Sequence, residues 1–310
     1  MNEKQPEPKI SNFRDVALSV NAHTTGTNGT RLKPCLLYRS ALPSPSALAH
    51  LTQTHSIQTI IDLRTTTEIL EQQQPPDPPS NQTSAPSPAP SPTTHPISLT
   101  SPAYTLSLLS HLTWPQLLRL AYLYTFAPRP AAVSLLATHV LAPRGLAGLA
   151  IDTLTYSTAE IARVLTLLSD PASYPVLVHC TQGKDRTGLV CLLVCLLCGV
   201  EWEGLEADYW RSEGELAGER EEREREVGRI GLPGAWAGCE GGWVGRVREW
   251  LEGEWGGAEG YLEGACGLEG EVVEGVRRVL VEGWTGGERE DSGEVEGDDG
   301  VEEWAGCRRV

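Results

Sequence analysis

Cys180 and Arg186 are separated by five residues in the segment HCTQGKDRTG. The β-branched apolar run at residues 174–178 predicts a strand before the cysteine, and the Leu-rich run at residues 188–200 predicts a helix after the arginine. A loop that leads into a helix N-terminus points successive backbone N–H groups inward, and the helix dipole adds partial positive charge. The sequence therefore predicts a loop that binds a phosphate-like dianion, with a cysteine and an arginine on its rim.

These residue types suit phosphoryl transfer through a cysteine nucleophile. The positive potential of such a loop favours the thiolate of Cys180, which would attack phosphorus and form a phosphocysteine. Arg186 can present two N–H donors to two phosphoryl oxygens, and the loop amides would hold the remaining charge. The Thr187 hydroxyl would donate to the sulfur and help it leave in the second step. The loop residues expected to bind phosphate are Thr181, Gln182, Gly183, Lys184 and Gly188.

The pair His179-Cys180, five further residues and Arg186-Thr187 together resemble the signature of the protein tyrosine phosphatase superfamily. The string GKDRTG is similar to that of the atypical tyrosine and dual-specificity phosphatases of bacteria and fungi, some of which also hydrolyse phosphoinositides. The strings SNFRDV, LYRSA and TIIDLRTTTE agree with this subfamily in order along the chain. The resemblance implies an α/β fold in which a mostly parallel central sheet is flanked by helices and carries a lid-like helical insertion.

Residues 11–20 are predicted to form a strand or turn-strand, followed after a loop by a second strand near residues 36–39. In similar phosphatases such a hairpin lies beside the active site, which implies that Arg14, Asp15 and Arg39 help to frame the phosphate loop. The alternative is that Arg14 and Asp15 only pair with each other at the surface.

A helix at residues 45–55 is predicted to lead into a buried strand at residues 59–63. Asp62 and Arg64 lie at the carboxyl end of that strand, where ligands gather in open α/β sheets. Both are therefore candidate supports for the loop, although Arg64 could equally be a surface residue.

The general acid has two candidates. The subfamily carries an aspartate inside the signature, here Asp185, which lies close enough in sequence to the nucleophile to reach a leaving-group oxygen. The neighbouring Arg186 would tend to keep that carboxyl ionised. Asp152, in the segment GLAIDTL, is the second candidate.

Composition divides the chain into a phosphatase domain at residues 11–282, a flexible tail at 1–10 and an acidic disordered tail at 283–310. Residues 75–96 are rich in Pro and Ser and are predicted to be a disordered insertion within the domain. Helical apolar spacing between about residues 101 and 140 predicts the lid-like insertion, which could equally be a helical flank of the core.

The net charge of −16 is concentrated after residue 200, where the chain has 30 Asp and Glu residues but only 12 Lys and Arg residues. This acidity argues against nucleic-acid binding, and no polybasic run indicates attraction to an anionic membrane. Cys191, Cys195 and Cys198 share one face of the apolar helix and are interpreted as core residues; we predict no metal and no cofactor. The polar N-terminus and the cysteine usage predict a reduced, cytoplasmic protein without a transmembrane segment.

We expect a phosphorylated protein substrate, with phosphotyrosine or mixed specificity. A lysine and an aspartate beside the arginine also occur in inositol-lipid phosphatases of the superfamily, so Lys184 makes a phosphoinositide the second candidate. A phosphate-binding pseudophosphatase is the alternative of another class. A rhodanese-like sulfurtransferase also uses a loop cysteine before a helix, but the five-residue interval and the continuation Arg186-Thr187-Gly188 favour phosphoryl chemistry.

Overall fold

The structure is a computed structural model that describes residues 10–24, 29–72 and 91–284. The predicted tails at 1–10 and 283–310 therefore lie outside the described residues, apart from Ile10, Gly283 and Trp284. Most of the predicted disordered insertion at 75–96 also lies outside them.

Five short strands form one sheet in the order β1-β2-β5-β3-β4. Strands β2, β5, β3 and β4 run parallel to one another, and only β1 is antiparallel to its neighbour. The predicted α/β fold with a mostly parallel sheet is confirmed. The strands are β1 (Arg14–Asp15), β2 (Leu37–Ser40), β3 (Thr59–Asp62), β4 (Thr93–Pro96) and β5 (Val176–His179).

Strand β4 corrects the predicted extent of the disordered insertion, because residues 93–96 are ordered in the sheet. The N–H of Thr93 donates to Gln58 O at 2.8 Å, and the N–H of Ile97 donates to Asp62 O at 2.8 Å. The strand occupies the sheet edge and its side chains are largely exposed, so apolar periodicity does not mark it. Backbone pairing with β3, rather than burial, orders these residues.

Helices follow or precede the strands in the pattern expected of an α/β domain. The α-helices of the described residues are α1 (Val16–Asn21), α2 (Pro45–His55), α3 (Thr66–Gln72), α4 (Pro102–Ser110), α5 (Trp114–Phe126), α6 (Arg129–Leu136), α7 (Ala142–Tyr156), α8 (Thr158–Ser169), α9 (Asp185–Leu197), α10 (Trp202–Glu215), α11 (Arg220–Arg229), α12 (Trp243–Trp255), α13 (Ala258–Gly264) and α14 (Gly270–Leu280).

The sheet has a core on each face, because successive strand residues point to opposite sides. Leu177 of β5 packs with Tyr38, Ile60 and the α2 residue Leu51 on one face. Val176 and Val178 point to the other face, into the larger core that also holds α9. Helix α9 is buried along most of its length, which fixes the loop at its N-terminus between the sheet and the surrounding helices.

The segment at residues 16–21 is a helix, so the predicted strand at residues 11–20 is wrong beyond Asp15. Asp15 caps α1 by accepting the N–H of Leu18 at 3.3 Å. Val16 and Val20 are buried, and α1 packs against α10, which no local signal in the sequence indicates. The adjacent β1 and β2 still form the short antiparallel pair beside the phosphate loop.

Helices α4, α5 and α6, followed by a π-helical turn (Ala137–Leu141), occupy residues 102–141, where the sequence predicts a helical insertion. This insertion has a small core of its own, formed by Leu112, Leu135 and Val140 with partly buried leucines around them. One described stretch, Ala131–Tyr156, is long and apolar enough to cross a membrane by length and composition alone, although the sequence was expected to contain none. Its backbone is non-helical at Gly145, where φ is 68°.

Six of the described cysteines are free thiols, and Cys191, Cys195 and Cys198 lie in the main core as predicted. Cys35 is disulfide-bonded, so the expectation that all eight cysteines are reduced is not met. Among the described residues, no group of three or more His, Cys, Asp or Glu side chains is arranged to hold a metal ion.

Candidate active site

The predicted phosphate loop lies at the carboxyl edge of the central strand. His179, the last residue of β5, stands opposite Ser40 of β2 and Asp62 of β3 in the parallel register. Residues 180–184 then connect β5 to α9, which begins at Asp185 and not at residue 188 as predicted. The N–H of Gly188 donates to Lys184 O at 2.9 Å and closes the first helical turn. The signature therefore spans a strand end, a loop and a helix N-terminus, the arrangement that suits an anion.

Cys180 lies at the base of this loop with only 3% of its surface exposed. Its Sγ accepts the N–H of Gly183 at 3.2 Å, so the loop curls around the sulfur and supports negative charge on it. Gly183 has φ +66°, and a Cβ at this position would lie 2.2 Å from the carbonyl oxygen of Ser40. Only glycine fits this turn, because the backbone is left-handed and the neighbouring strand is in contact.

A buried ion network supports the loop. Arg39 donates to the carbonyl oxygens of Gly183 at 2.7 Å and Lys184 at 3.3 Å. Its guanidinium is paired with Asp208 of α10, whose other carboxylate oxygen accepts Arg14 Nε at 2.7 Å. Because these loop carbonyls are turned toward Arg39, loop N–H groups remain available for an anion.

Asp208 supplies the negative charge that pairs with Arg39 and Arg14 in this network. Burial alone would raise the pKa of Asp208, but Arg39 and Arg14 outweigh burial and hold that pKa well below its usual range. Arg14 also donates to Ser212 Oγ at 3.0 Å, so it is buried and structural rather than paired with Asp15 at the surface. The sequence prediction omitted Asp208 as a site residue, although it lies in a segment that resembles these phosphatases.

Arg186 is held by a residue that the sequence prediction also missed, Glu68 of α3. Two N–H···O bonds of 2.7 Å join the guanidinium to the two carboxylate oxygens of Glu68. The same carboxylate accepts Thr181 Oγ1 at 2.6 Å and the backbone N–H of Thr65 at 2.8 Å. The available signal was the string TTTE, which matches a capping box at the start of a helix.

The charges of this pair reinforce each other. Burial would raise the pKa of Glu68, but the hydrogen bonds and charge of Arg186 outweigh it and hold the pKa far below its usual range. Burial would lower the pKa of Arg186, and the pairing with Glu68 more than reverses that effect. Arg186 is therefore a fixed cation beside Thr181, the residue that follows Cys180.

His179, Asp62 and Arg64 form a second buried support beside β5. Arg64 donates to Asp62 through Nε at 2.9 Å and Nη2 at 2.7 Å, so its interpretation as a surface residue is wrong. His179 Nδ1 lies 3.9 Å from Asp62 Oδ1 and 3.3 Å from the carbonyl oxygen of Cys180. Burial lowers the pKa of His179 despite the opposing charge of Asp62, which favours a neutral imidazole at neutral pH.

The two candidate acids differ in exposure and in partner. Asp185 is the first residue of α9; its side chain is 42% exposed, and its Oδ1 lies 3.7 Å from Lys184 Nζ. Asp152 in α7 is 3% exposed and paired with Arg144 through Oδ1. Its Oδ2 is buried and has no hydrogen-bond partner among the described residues.

Tyr104 of α4 is a buried residue of the helical insertion. Burial, assisted by the charge of Asp152, raises the pKa of Tyr104 to about 12, against the opposing charges of Arg144 and Arg186. The phenol therefore lies within electrostatic reach of both the second candidate acid and the signature arginine.

Three predicted residues do not make the contacts expected of them. Lys184 is 1% exposed, and its ammonium donates to the carbonyl oxygens of Gly238 at 2.5 Å and Trp236 at 3.4 Å, not toward a bound headgroup. The Thr187 hydroxyl is buried and has no hydrogen-bond partner in the described part of the chain, so its bond to the sulfur is not formed here. Asp15 caps α1 and accepts the N–H of Cys35.

Comparison with known proteins agrees with this geometry. A family model described as the tyrosine phosphatase family matches residues 6–282. A tyrosine-protein phosphatase from Nostoc commune is 29% identical over 139 residues, covering 42% of this chain and 47% of that protein. The triple specificity protein phosphatase PtpB from Mycobacterium tuberculosis is 52% identical over 50 residues, covering 16% of this chain and 17% of that protein. The chain thus spans less than half the length of these curated relatives. Because the family match extends over most of its residues, the chain belongs to the tyrosine phosphatase family.

Proposed function

We propose that the protein hydrolyses phosphate monoesters of phosphorylated proteins through a phosphocysteine intermediate, with phosphotyrosine as the leading substrate. The observation that carries this proposal is the position of Cys180. Its sulfur accepts the N–H of Gly183 at 3.2 Å, in the loop that precedes the N-terminus of α9. The same signature contains Arg186, whose guanidinium is held in place by Glu68. One loop thus brings together the proposed nucleophile, fixed N–H donors and a fixed cation.

In the first step the Cys180 sulfur forms a bond to phosphorus while the bond from phosphorus to the leaving oxygen breaks. The departing oxygen takes a proton from the general acid. In the second step a water oxygen attacks phosphorus, the same carboxylate receives the water proton, and the sulfur–phosphorus bond breaks. Arg186 and the loop amides stabilise the transferring group in both steps, since they are positioned before the reaction begins.

The depth of the nucleophile supports phosphotyrosine over phosphoserine. Cys180 is only 3% exposed at the base of the loop, so the phosphate must be carried inward on a long side chain. The name of the mycobacterial relative includes triple specificity, which supports a broader substrate range as the second candidate. The burial of Lys184 removes the cation on which the phosphoinositide prediction depended.

We assign the general acid to Asp185 rather than Asp152. Asp185 belongs to the signature itself and its side chain is 42% exposed, so it can meet a leaving group and a water. Asp152 is paired with Arg144 and buried, which limits its access to a bound ester.

The experiment is phosphate release from a phosphotyrosine peptide, a phosphoserine peptide and soluble phosphoinositides. Cys180→Ser should abolish release from every substrate while phosphate binding persists, and Cys266→Ser, a control at a free cysteine away from the loop, should behave as wild type. Binding of phosphate without release by the wild type would overturn the proposal and identify a pseudophosphatase. Equal or faster release from phosphoinositides would overturn the leading substrate.

The acid is tested by changing the leaving group. Asp185→Asn should slow hydrolysis of a phosphotyrosine peptide more than that of an aryl phosphate whose leaving group needs no proton. Asp152→Asn should affect both substrates equally. The reverse pattern would assign the acid to Asp152.

A further inference from the structure

Helix α5 presents a continuous apolar stripe to the outside of the molecule. Trp114, Leu118, Tyr122 and Phe126 follow one another at intervals of four residues and form what we call the α5 ridge. Their exposed fractions are 77%, 66%, 62% and 76%. The Tyr122 and Phe126 rings are 5.3 Å apart, so the ridge is a connected surface rather than a set of scattered side chains.

The opposite face of α5 is apolar as well. Leu117, Leu120 and Leu123 pack against the small core of the helical insertion. All residues of α5 are apolar except Gln116, Arg119 and Thr125, yet none of its residues is buried. A helix that is apolar on all sides is normally enclosed by protein or by lipid. The ridge therefore lacks its cover among the described residues.

The charge around the ridge restricts what can cover it. Residues 102–141 contain no Asp or Glu and carry two arginines, in a chain whose net charge is −16. One of these, Arg119, is exposed on α5. The helical insertion is thus a carboxylate-free, weakly cationic surface on an acidic protein, which suits an apolar partner with a negatively charged boundary.

The segment that precedes the helical insertion in sequence is too polar to cover the ridge. Residues 73–90 contain no Leu, Ile, Val, Phe, Tyr or Trp, so they cannot bury the ridge. A second copy of the ridge is likewise free of carboxylates and weakly cationic, so it does not offer the negatively charged boundary that this surface suits.

We propose that the α5 ridge docks on a lipid bilayer that contains anionic lipids, with the ridge side chains inserted at the interface. Trp, Tyr and Phe favour the boundary between headgroups and acyl chains, and arginine beside them pairs with anionic headgroups.

The test is flotation of the full chain with vesicles of phosphatidylcholine alone or with added phosphatidylserine. The vesicles contain no phosphoinositide, so binding is measured independently of catalysis. The wild type should float with the anionic vesicles. The double variant Leu118→Gln/Phe126→Gln should bind roughly tenfold or more weakly, since two largely exposed apolar side chains no longer enter the lipid. Arg119→Glu should lose binding selectively at anionic vesicles.

Leu18→Gln is the matched control, because Leu18 is 47% exposed on α1 and outside the ridge. It should float as the wild type does. All variants should release phosphate from a soluble phosphotyrosine peptide at the wild-type rate, which shows that they are folded. The proposal would be overturned if the wild type floated with neither vesicle type, or if the double variant floated as well as the wild type. A dimer in solution that the double variant converts to a monomer would also overturn it and assign the ridge to a second copy.

Discussion

Replacing Glu68 by Gln tests whether this carboxylate positions the signature arginine. The variant keeps an oxygen acceptor and removes the charge that receives two bonds of 2.7 Å from Arg186. A hydrogen bond to a charged group contributes roughly 1.5–3 kcal/mol. The side chains of Arg186 and Glu68 are 24% and 32% exposed, so solvent screening reduces the sum of two such bonds. We therefore assign an interaction free energy of about 1.5–3 kcal/mol to the Arg186–Glu68 pair.

This loss should appear in catalysis if Arg186 must be fixed to stabilise the transition state. We expect kcat/KM for a phosphotyrosine peptide to fall roughly 10- to 100-fold in Glu68→Gln. Glu71→Gln, on the same helix, removes the same charge and should retain most of the activity. In an Arg186→Lys background the additional effect of Glu68→Gln should be small, because lysine cannot make the two-pronged pair.

The pH dependence gives an independent check. Pairing with Arg186 holds the pKa of Glu68 below its usual range, so its charge, and the stability it contributes, are fully present above the unfolded-state pKa. That contribution is lost only as pH falls through the depressed folded-state pKa. The ratio of wild-type to Glu68→Gln activity should thus be constant from about pH 5 to 8. A lowered melting temperature with unchanged kcat/KM would refute the reasoning and reduce Glu68 to a helix cap.

Three further outcomes follow from the same site. Gly183→Ala should abolish phosphate release and lower the melting temperature, since its Cβ would lie 2.2 Å from Ser40 O; near-normal activity would contradict the left-handed turn. Asp208→Asn should lower the free energy of unfolding by about 3–5 kcal/mol at neutral pH, because two buried arginines lose their anion. The difference from wild type in urea unfolding should shrink as pH falls through the depressed pKa of Asp208, and a difference independent of pH would contradict this. Lys184→Met should lower stability and leave the ratio of phosphopeptide to phosphoinositide hydrolysis unchanged; a selective loss on phosphoinositides would place its ammonium at the substrate.

Local sequence was sufficient for the elements whose signals are contained within a few residues. The helix bounds predicted at residues 45–55 match α2, because Ser44 caps the helix and Pro45 occupies its first position. The strand before Cys180 and the helix after it were predicted because their apolar runs differ in length and composition. The cysteine-to-arginine interval then indicated an anion-binding loop before any tertiary contact was known.

Elements that depend on distant partners were predicted wrongly or only in part. Strand β4 forms because β3 lies beside it, and α1 is helical because it packs on α10, which follows it by more than 150 residues. Propensity describes what a segment favours alone, and tertiary packing overrides it at both places.

The sequence by itself identified the loop residues to which we assign the chemistry: Cys180, Arg186 and the phosphate-binding positions between them. Only the tertiary structure decided what holds them. Asp208 meets Arg14 across 194 positions of sequence, and Glu68 meets Arg186 across 118. The sequence shows which side chains are charged but not which of them pair, because ion pairing depends on distances that only the folded chain sets.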